Sequence, residues 1–179
     1  MRTAIGMVEL TSIARGIETA DFMVKAAKVA LLRACTVCPG KYMILVSGET
    51  GDVRASMAEG QKHAGEYIAD TLLLPNVHPQ VLRAVCMTTQ IPHPGAVGVL
   101  EFFSVASAIT AADTAVKAAS VTLIEVRIGY AIGGKGYVTL TGDVGAVRTA
   151  VAAAAREAKL LVSTSVIPRP APQIFQSLL

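Results

Sequence analysis

The sequence feature that most constrains the fold is an internal repeat. Residues 4–32 align without a gap to residues 96–124, and 14 of the 29 aligned positions are identical. After a slip of two residues the alignment resumes. Charged residues recur together with small ones: Glu9, Asp21, Lys25 and Lys41 reappear as Glu101, Asp113, Lys117 and Lys135. A chain rich in alanine and valine does not produce such matches by composition alone. The sequence therefore predicts two copies of one unit of roughly ninety residues, fused head to tail.

Each copy has the same predicted order of elements: strand, helix, strand, strand, helix, strand. In the first copy the strands are expected near 4–10, 29–37, 41–48 and 67–74, with helices from Ile13 onward and over 52–66. In the second copy they are expected at 96–102, 121–129, 136–141 and 160–166, with helices at 104–119 and 144–158. This order predicts an α/β (α+β) protein with two tandem ferredoxin-like domains, each an antiparallel sheet with helices on one face.

Prolines mark the end of both copies. Residues 75–95 contain four prolines and are predicted to form a linker with a short helix near 81–87. Residues 168–179 are predicted to be a proline-broken tail. The expected domains are therefore 1–92, which includes the linker, and 93–179, which includes the tail.

The first helix of the repeat has recognisable signals. Thr11 or Ser12 offers an N-cap, and Asp21 and Lys25 are one turn apart, so their side chains are expected to face each other. The apolar positions follow helical spacing: Ile13, Ile17, Ala20, Val24 and Ala27.

Composition excludes several classes of function. The chain is 53% hydrophobic, but no apolar run approaches the ~18–20 residues of a membrane helix. Met1 leads directly into the repeat, so no signal peptide is predicted. The net charge of +3 comes without a basic run, which disfavours nucleic-acid binding. We expect the apolar excess to lie in subunit interfaces, since units this small have little interior.

The remaining candidate chemistry is sparse. The three cysteines, Cys35, Cys38 and Cys86, are expected to be reduced cytosolic thiols. Cys35 and Cys38 form a Cys-x-x-Cys pair, but the pair lies at the end of a strand, whereas redox pairs usually open a helix. The segment 129–136 approaches a phosphate-binding loop, yet it lacks the Ser or Thr after the lysine and precedes a strand. The histidines, His63, His78 and His93, have no metal spacing. We therefore expect no enzyme activity.

Two recurring elements resemble the bacterial microcompartment shell domain. One is Ala-Asp-x-x-Val-Lys-Ala-Ala, at 20–27 and 112–119, and the other is Gly-Asp-Val before the second helix of each copy. The chain is similar to shell proteins with two such domains. The resemblance implies a homotrimer shaped as a pseudohexamer, a tile that packs with other shell proteins around enzymes in the bacterial cytoplasm.

The turn Cys38-Pro39-Gly40-Lys41-Tyr42 and the ending Ile167-Pro168-Arg169-Pro170 most resemble the iron–sulfur class of tandem-domain shell proteins from propanediol-utilization compartments. This resemblance implies one 4Fe-4S cluster per trimer on the threefold axis, held by Cys38 of each chain, for electron transfer across the shell and possible exchange with encapsulated redox enzymes. It also implies a central pore lined by two loops: Pro39, Gly40 and Lys41 in one, and Gly133, Gly134 and Lys135 in the other. Lys135 is expected to add positive charge there.

The resemblance further places Lys25, Lys117 and Arg169 at the edge of the tile, in contact with a neighbouring tile. The alternative is a solvated helical face with a local Asp–Lys pair. For the whole chain, three other functions stay open at this point: a metabolite-conducting tile without a cluster, a ferredoxin-like trimeric regulator that binds a small ligand, and a Cys-x-x-Cys oxidoreductase.

Overall fold

The computed structural model describes residues 3–91, 94–156 and 158–178, which form two compact units that divide after Val77. The first unit contains β1 (Thr3–Leu10), α1 (Ile13–Ala26), β2 (Ala30–Val37), β3 (Lys41–Glu49), α2 (Thr50–Ala64) and β4 (Ile68–Leu74). The second contains α3 (Pro79–Val85), β5 (Ala96–Phe102), α4 (Val105–Ala118), β6 (Thr122–Ile128), β7 (Gly136–Gly142), α5 (Val144–Arg156), β8 (Leu161–Ile167) and α6 (Pro172–Leu178).

Each unit has one four-stranded antiparallel sheet. The strand orders are β2-β3-β1-β4 and β6-β7-β5-β8, and every neighbouring pair is antiparallel. This is the order of the split βαβ arrangement, with the third strand inserted between the first and second. The predicted fold of two ferredoxin-like domains is confirmed.

The core of the first unit lies between one face of its sheet and the helices α1 and α2. Its members are alternate residues of the central strands and the inward faces of the helices, among them Val8, Leu10, Met23, Ile44, Val46, Val53 and Met57. Alternation along β1 and β3 is expected because successive side chains of a strand point to opposite faces. Among the described residues, no helix has both the length and the apolar character needed to cross a membrane.

Helix α1 begins where the sequence predicts, but of the predicted apolar stripe only Ala20 is among its buried residues. The Ser12 hydroxyl is the N-cap and accepts a hydrogen bond from the Arg15 N–H at 3.3 Å. Ile13 and Ile17, which the spacing suggested as the inward stripe, are exposed. The buried residues are Gly16, Thr19, Ala20 and Met23. Gly16 and Ala20 can occupy this face because the helix packs very close to the sheet.

At this close contact the two repeats place their glycine on different elements, the helix in the first and the strand in the second. A Cβ atom on Gly16 would lie 2.6 Å from the Tyr42 side chain. The equivalent positions in the second repeat are Ala108 and Gly136, and there a Cβ on the strand glycine would lie 2.9 Å from the helix alanine. Each repeat therefore has a glycine in this helix–strand contact, but on opposite partners.

We expect Gly16→Ala to lower the free energy of unfolding by about 1–3 kcal/mol, because the added methyl group overpacks the contact with Tyr42. The matched control is Gly51→Ala in the first turn of α2, where a Cβ meets nothing within 4 Å. That substitution is expected to leave stability unchanged or raise it by up to ~1 kcal/mol through helix propensity. Urea unfolding of both variants measures the difference, and equal losses would contradict the packing argument.

The linker packs differently from the expectation. The expected boundary between 92 and 93 lies outside the described residues, but residues 78–91 belong to the second unit, where α3 packs against β6 and α4. Burial of Val81, Ala84 and Val85 anchors the helix there. The sequence placed this segment with the first domain because it follows β4 directly, whereas its apolar face is buried on the second.

Candidate functional site

The turn between β2 and β3 carries the cysteine singled out by the sequence. Cys38 is half-buried and free of any disulfide, while Pro39 and Gly40 are exposed. The Cys38–Pro39 peptide bond is cis. Gly40 has φ +75°, a conformation that glycine adopts without the steric cost of a side chain. Residues 38–40 thus form a tight turn between β2 and β3, with the Cys38 thiol next to the exposed Pro39 and Gly40.

Lys41, directly after this turn, forms an ion pair with Glu9 of the neighbouring strand β1. The Glu9 side chain is only 4% exposed, so its charge depends on this lysine for compensation. The pair leaves the base of the turn close to electrically neutral.

The equivalent segment of the second unit, 129–135, is longer and glycine-rich. Four of its residues have positive φ: Gly129, Ala131, Gly133 and Gly134. The loop is closed by hydrogen bonds from the Gly129 N–H to the Lys135 carbonyl at 3.1 Å and from the Lys135 N–H to the Ile132 carbonyl at 3.2 Å. The predicted glycine loop is thus a defined hairpin connection.

Lys135 does not present the unpaired positive charge that the sequence suggested. Its Nζ lies 2.8 Å from Glu101 Oε1 and 5.4 Å from the centre of the Phe103 ring. Glu101 is the repeat equivalent of Glu9, so the same strand-to-loop ion pair occurs in both units. The expectation of added positive charge is corrected by this pairing.

Cys35 is a poor partner for Cys38 in redox chemistry. It lies within β2, opposite Met43 of β3, and burial raises the pKa of its thiol despite the nearby Arg33. A raised pKa disfavours the thiolate that thiol–disulfide exchange requires. Cys86 is the C-cap residue of α3 and is also half-buried. Of the three cysteines, Cys38 is the one that lies in the turn between β2 and β3.

No same-chain metal centre forms within the described ranges: no three His, Cys, Asp or Glu residues there come together in a way that could hold an ion. His63 stacks on Phe22 with ring centroids 3.5 Å apart, and its Nε2 lies 2.8 Å from Glu59. The His78 ring caps α3 by accepting from the Gln80 N–H. His93 lies outside the described residues. Both described histidines have structural contacts.

The predicted edge residues lie at the ends of helices or strands. Lys25 and Lys117 are in the last turns of α1 and α4 and pair with Asp21 and Asp113 at 2.6 and 2.5 Å, as their spacing predicts. The two pairs differ in burial, since the Asp113 side chain is 7% exposed and that of Asp21 is 55% exposed. Arg169 is exposed in the bend after β8.

Three residues with defining contacts were not predicted from the sequence: Glu9 and Glu101, which pair with the loop lysines, and Gln80. The glutamates carried a signal, because Glu9 and Glu101 are identical between the repeats and so are their lysines. Gln80 carried none, because it lies in the linker, beyond the last strand of the first repeat.

The family model of the BMC domain matches the chain twice, at residues 4–77 and 96–170. The chain belongs to the BMC domain family. Each match spans one four-stranded sheet, from its first strand to just past its last. The predicted resemblance to the microcompartment shell domain, in two tandem copies, is confirmed.

Several relatives cover one or both domains. The bacterial microcompartment shell protein PduT of Citrobacter freundii is 47% identical over 173 residues, which is 95% of this chain and 94% of that protein. The major carboxysome shell protein CsoS1A of Halothiobacillus neapolitanus is 36% identical over 81 residues, 44% of this chain and 83% of that protein. A single repeat thus corresponds to nearly a whole carboxysome protein.

The fold is also that of a solved structure. A microcompartment protein from Desulfitobacterium hafniense DCB superposes with a TM-score of 0.94 at 50% identity, covering 97% of this chain and 98% of that chain. The likeness therefore extends over both BMC domains rather than one.

Proposed function

We propose that this BMC-family shell protein assembles as a homotrimer, a pseudohexameric tile, and that Cys38 from each of three chains holds one 4Fe-4S cluster on the threefold axis. The shell role is supported by the BMC domains and by shell proteins that match over nearly the whole chain. The tile is proposed to pack with other shell proteins around enclosed redox enzymes. It has no catalytic role of its own.

The observation that carries the cluster proposal is the setting of Cys38. A free, half-buried thiol lies on a tight turn flanked by exposed Pro39 and Gly40, and the other repeat has a cysteine-free glycine loop at this position. Duplication with divergence leaves one such thiol per two domains. A ring of three chains then brings three thiols to one axis, where six would crowd.

A cysteine thiolate is a suitable ligand for an iron–sulfur cluster. Iron–sulfur clusters are held by cysteine thiolates, and the fourth position on a three-thiol site is left to solvent or a small molecule. The described residues of one chain offer no group of three such ligands, so the proposed cluster takes one thiolate from each of three chains. The Lys41–Glu9 pair fixes the base of the turn and keeps its local charge low. When bound, the cluster supplies one-electron transfer through the tile.

The test is anaerobic purification and reconstitution, followed by visible and EPR spectra together with iron analysis. The proposal expects broad iron–sulfur absorption and an EPR signal that changes on reduction. A colourless, iron-free protein after reconstitution would rule out the cluster and leave a tile with an open pore. That second function is favoured by the glycine loop at 129–135, whose lysine is paired with Glu101 and whose residues Ala131 and Gly133 are exposed.

The edge residues give a separate prediction. Lys25→Ala and Lys117→Ala are expected to raise the protein concentration needed for sheet formation roughly tenfold, because each tile repeats its edge contacts three times. Lys28→Ala is the control, since Lys28 is an exposed lysine just beyond α1. Electron microscopy of sheets over a concentration series measures the effect. Unchanged sheets would assign the lysines to local pairs with Asp21 and Asp113 alone.

A further inference from the structure

The linker helix α3 has a second copy at the end of the chain. Leu74 and Ile167 end equivalent strands, since they pair with the equivalent residues Ile5 and Val97. Counting on from them aligns Pro79-Gln80-Val81 with Pro172-Gln173-Ile174. Both helices have seven residues, Pro79–Val85 and Pro172–Leu178. The two helices therefore occupy equivalent positions after the last strand of each repeat.

The start of α3 is bonded to the neighbouring β6 and α4. The Gln80 amide bridges two backbone groups there: its Nε2 donates to the Val121 carbonyl at 3.2 Å, and its Oε1 accepts from the Leu123 N–H at 2.9 Å. The His78 N–H donates to Asp113 Oδ1 at 2.8 Å. Val81 is fully buried. These contacts cover the beginning of β6.

The equivalent surface of the first unit is uncovered in this chain. By the repeat, Val121, Leu123 and Asp113 correspond to Val29, Leu31 and Asp21. Leu31 is exposed where Leu123 is fully buried, and Asp21 is exposed where Asp113 is buried. In the second unit, α3 covers a leucine and a carboxylate at the start of the edge strand. In the first unit, the equivalent leucine and carboxylate are exposed.

The start of α6 is the matching uncovered partner. Residues 171–174 are exposed, and Ile174 is 41% exposed where Val81 is 0%. At the other end of α6, Ser177 and Leu178 line a cavity of about 170 Å³ together with Ile124 and Tyr137 of the same unit. The C-terminal end of α6 therefore lies beside its own sheet, and the residues at its N-terminal end are exposed.

We propose that residues 171–174 of one chain dock on Asp21 and the segment 29–31 of the next chain, repeating the contact that α3 makes within a chain. Gln173 bridges the Val29 carbonyl and the Leu31 N–H of the neighbour, the Ala171 N–H donates to Asp21, and Ile174 covers Leu31. The occupant of this surface is a second copy of the chain. A head-to-tail contact of this kind generates a ring when its rotation closes. Closure after three chains rests on the proposed trimer.

The repeat supplies a matched pair of variants for the test. Gln173→Ala removes the bridge between chains and is expected to raise the concentration at which the trimer dissociates roughly tenfold, since two hydrogen bonds are lost at each interface. Gln80→Ala removes the same bridge within a chain. It is expected to lower the thermal midpoint and leave the dissociation concentration unchanged. Leu31→Glu examines the contact from the opposite side and is expected to weaken the trimer as well.

Native mass spectrometry over a dilution series measures the dissociation of the trimer. Amide hydrogen exchange measures the protection of the Leu31 N–H. We expect this N–H to be protected in the wild-type trimer and to lose protection in Gln173→Ala. A wild-type trimer whose dissociation and Leu31 exchange are both unaffected by Gln173→Ala overturns the docking contact while the proposed trimer stands. A wild-type chain that stays monomeric at every concentration overturns the trimer and the contact together.

Discussion

The Cys38→Ser variant is expected to keep less than about a tenth of the wild-type iron after anaerobic reconstitution, because a serine hydroxyl does not replace a thiolate as a cluster ligand. Its visible absorption and EPR signal should disappear to the same extent. The side chain is half-buried on a turn and close to isosteric with serine, so the particle mass should not change. Iron content, spectra and mass are measured on one preparation.

Two control variants distinguish the loss of a cluster ligand from a general effect of replacing a cysteine. Cys35→Ser and Cys86→Ser are expected to keep the full iron content, because Cys35 lies inside β2 with a raised thiol pKa and Cys86 caps α3. A Cys38→Ser protein that stays coloured and iron-loaded would show that another group holds the metal. Loss of iron in all three variants would point to a general effect on folding.

Lys41→Met is expected to lower the free energy of unfolding by about 2–4 kcal/mol, because it leaves the buried Glu9 carboxylate without its counter-charge. Methionine keeps the length and apolar stem of the lysine, so the loss reports mainly on the charge. Urea unfolding at a fixed protein concentration measures it, since the stability of the proposed trimer would depend on concentration.

The second repeat provides the control for that experiment. Lys135→Met breaks the equivalent pair, but Glu101 is 34% exposed and remains hydrated when its partner is removed. The expected loss is below about 1 kcal/mol, as for ion pairs near the surface. Equal losses in the two variants would mean that burial of Glu9 does not determine the strength of the pair.

The repeat made the fold predictable, because two independent copies of one pattern of strands and helices reduce the number of compatible topologies. Local signals also predicted the Ser12 cap and the Asp21–Lys25 pair, which depend only on helical geometry. The inward face of α1 was not predictable from hydrophobicity. Ile13 and Ile17 are more apolar than Gly16, but a close helix–sheet contact selects the smallest side chain.

The candidate site was predictable in part. The Cys38 turn follows from the Pro-Gly pair between two strands. The pairing of Lys41 with Glu9 depends on which strands are neighbours, and these residues are far apart along the chain. The packing of α3 on β6 was missed for the same reason: chain order places the helix with the first domain, whereas its hydrogen bonds are made with the second.

Whether three chains share one cluster can be measured by native mass spectrometry of the anaerobically reconstituted wild-type protein. We expect a trimer whose excess mass equals one 4Fe-4S cluster, that is about four iron and four sulfide per three chains. A cluster bound to a single chain, or a trimer with no added mass under conditions that load other iron–sulfur proteins, would contradict it.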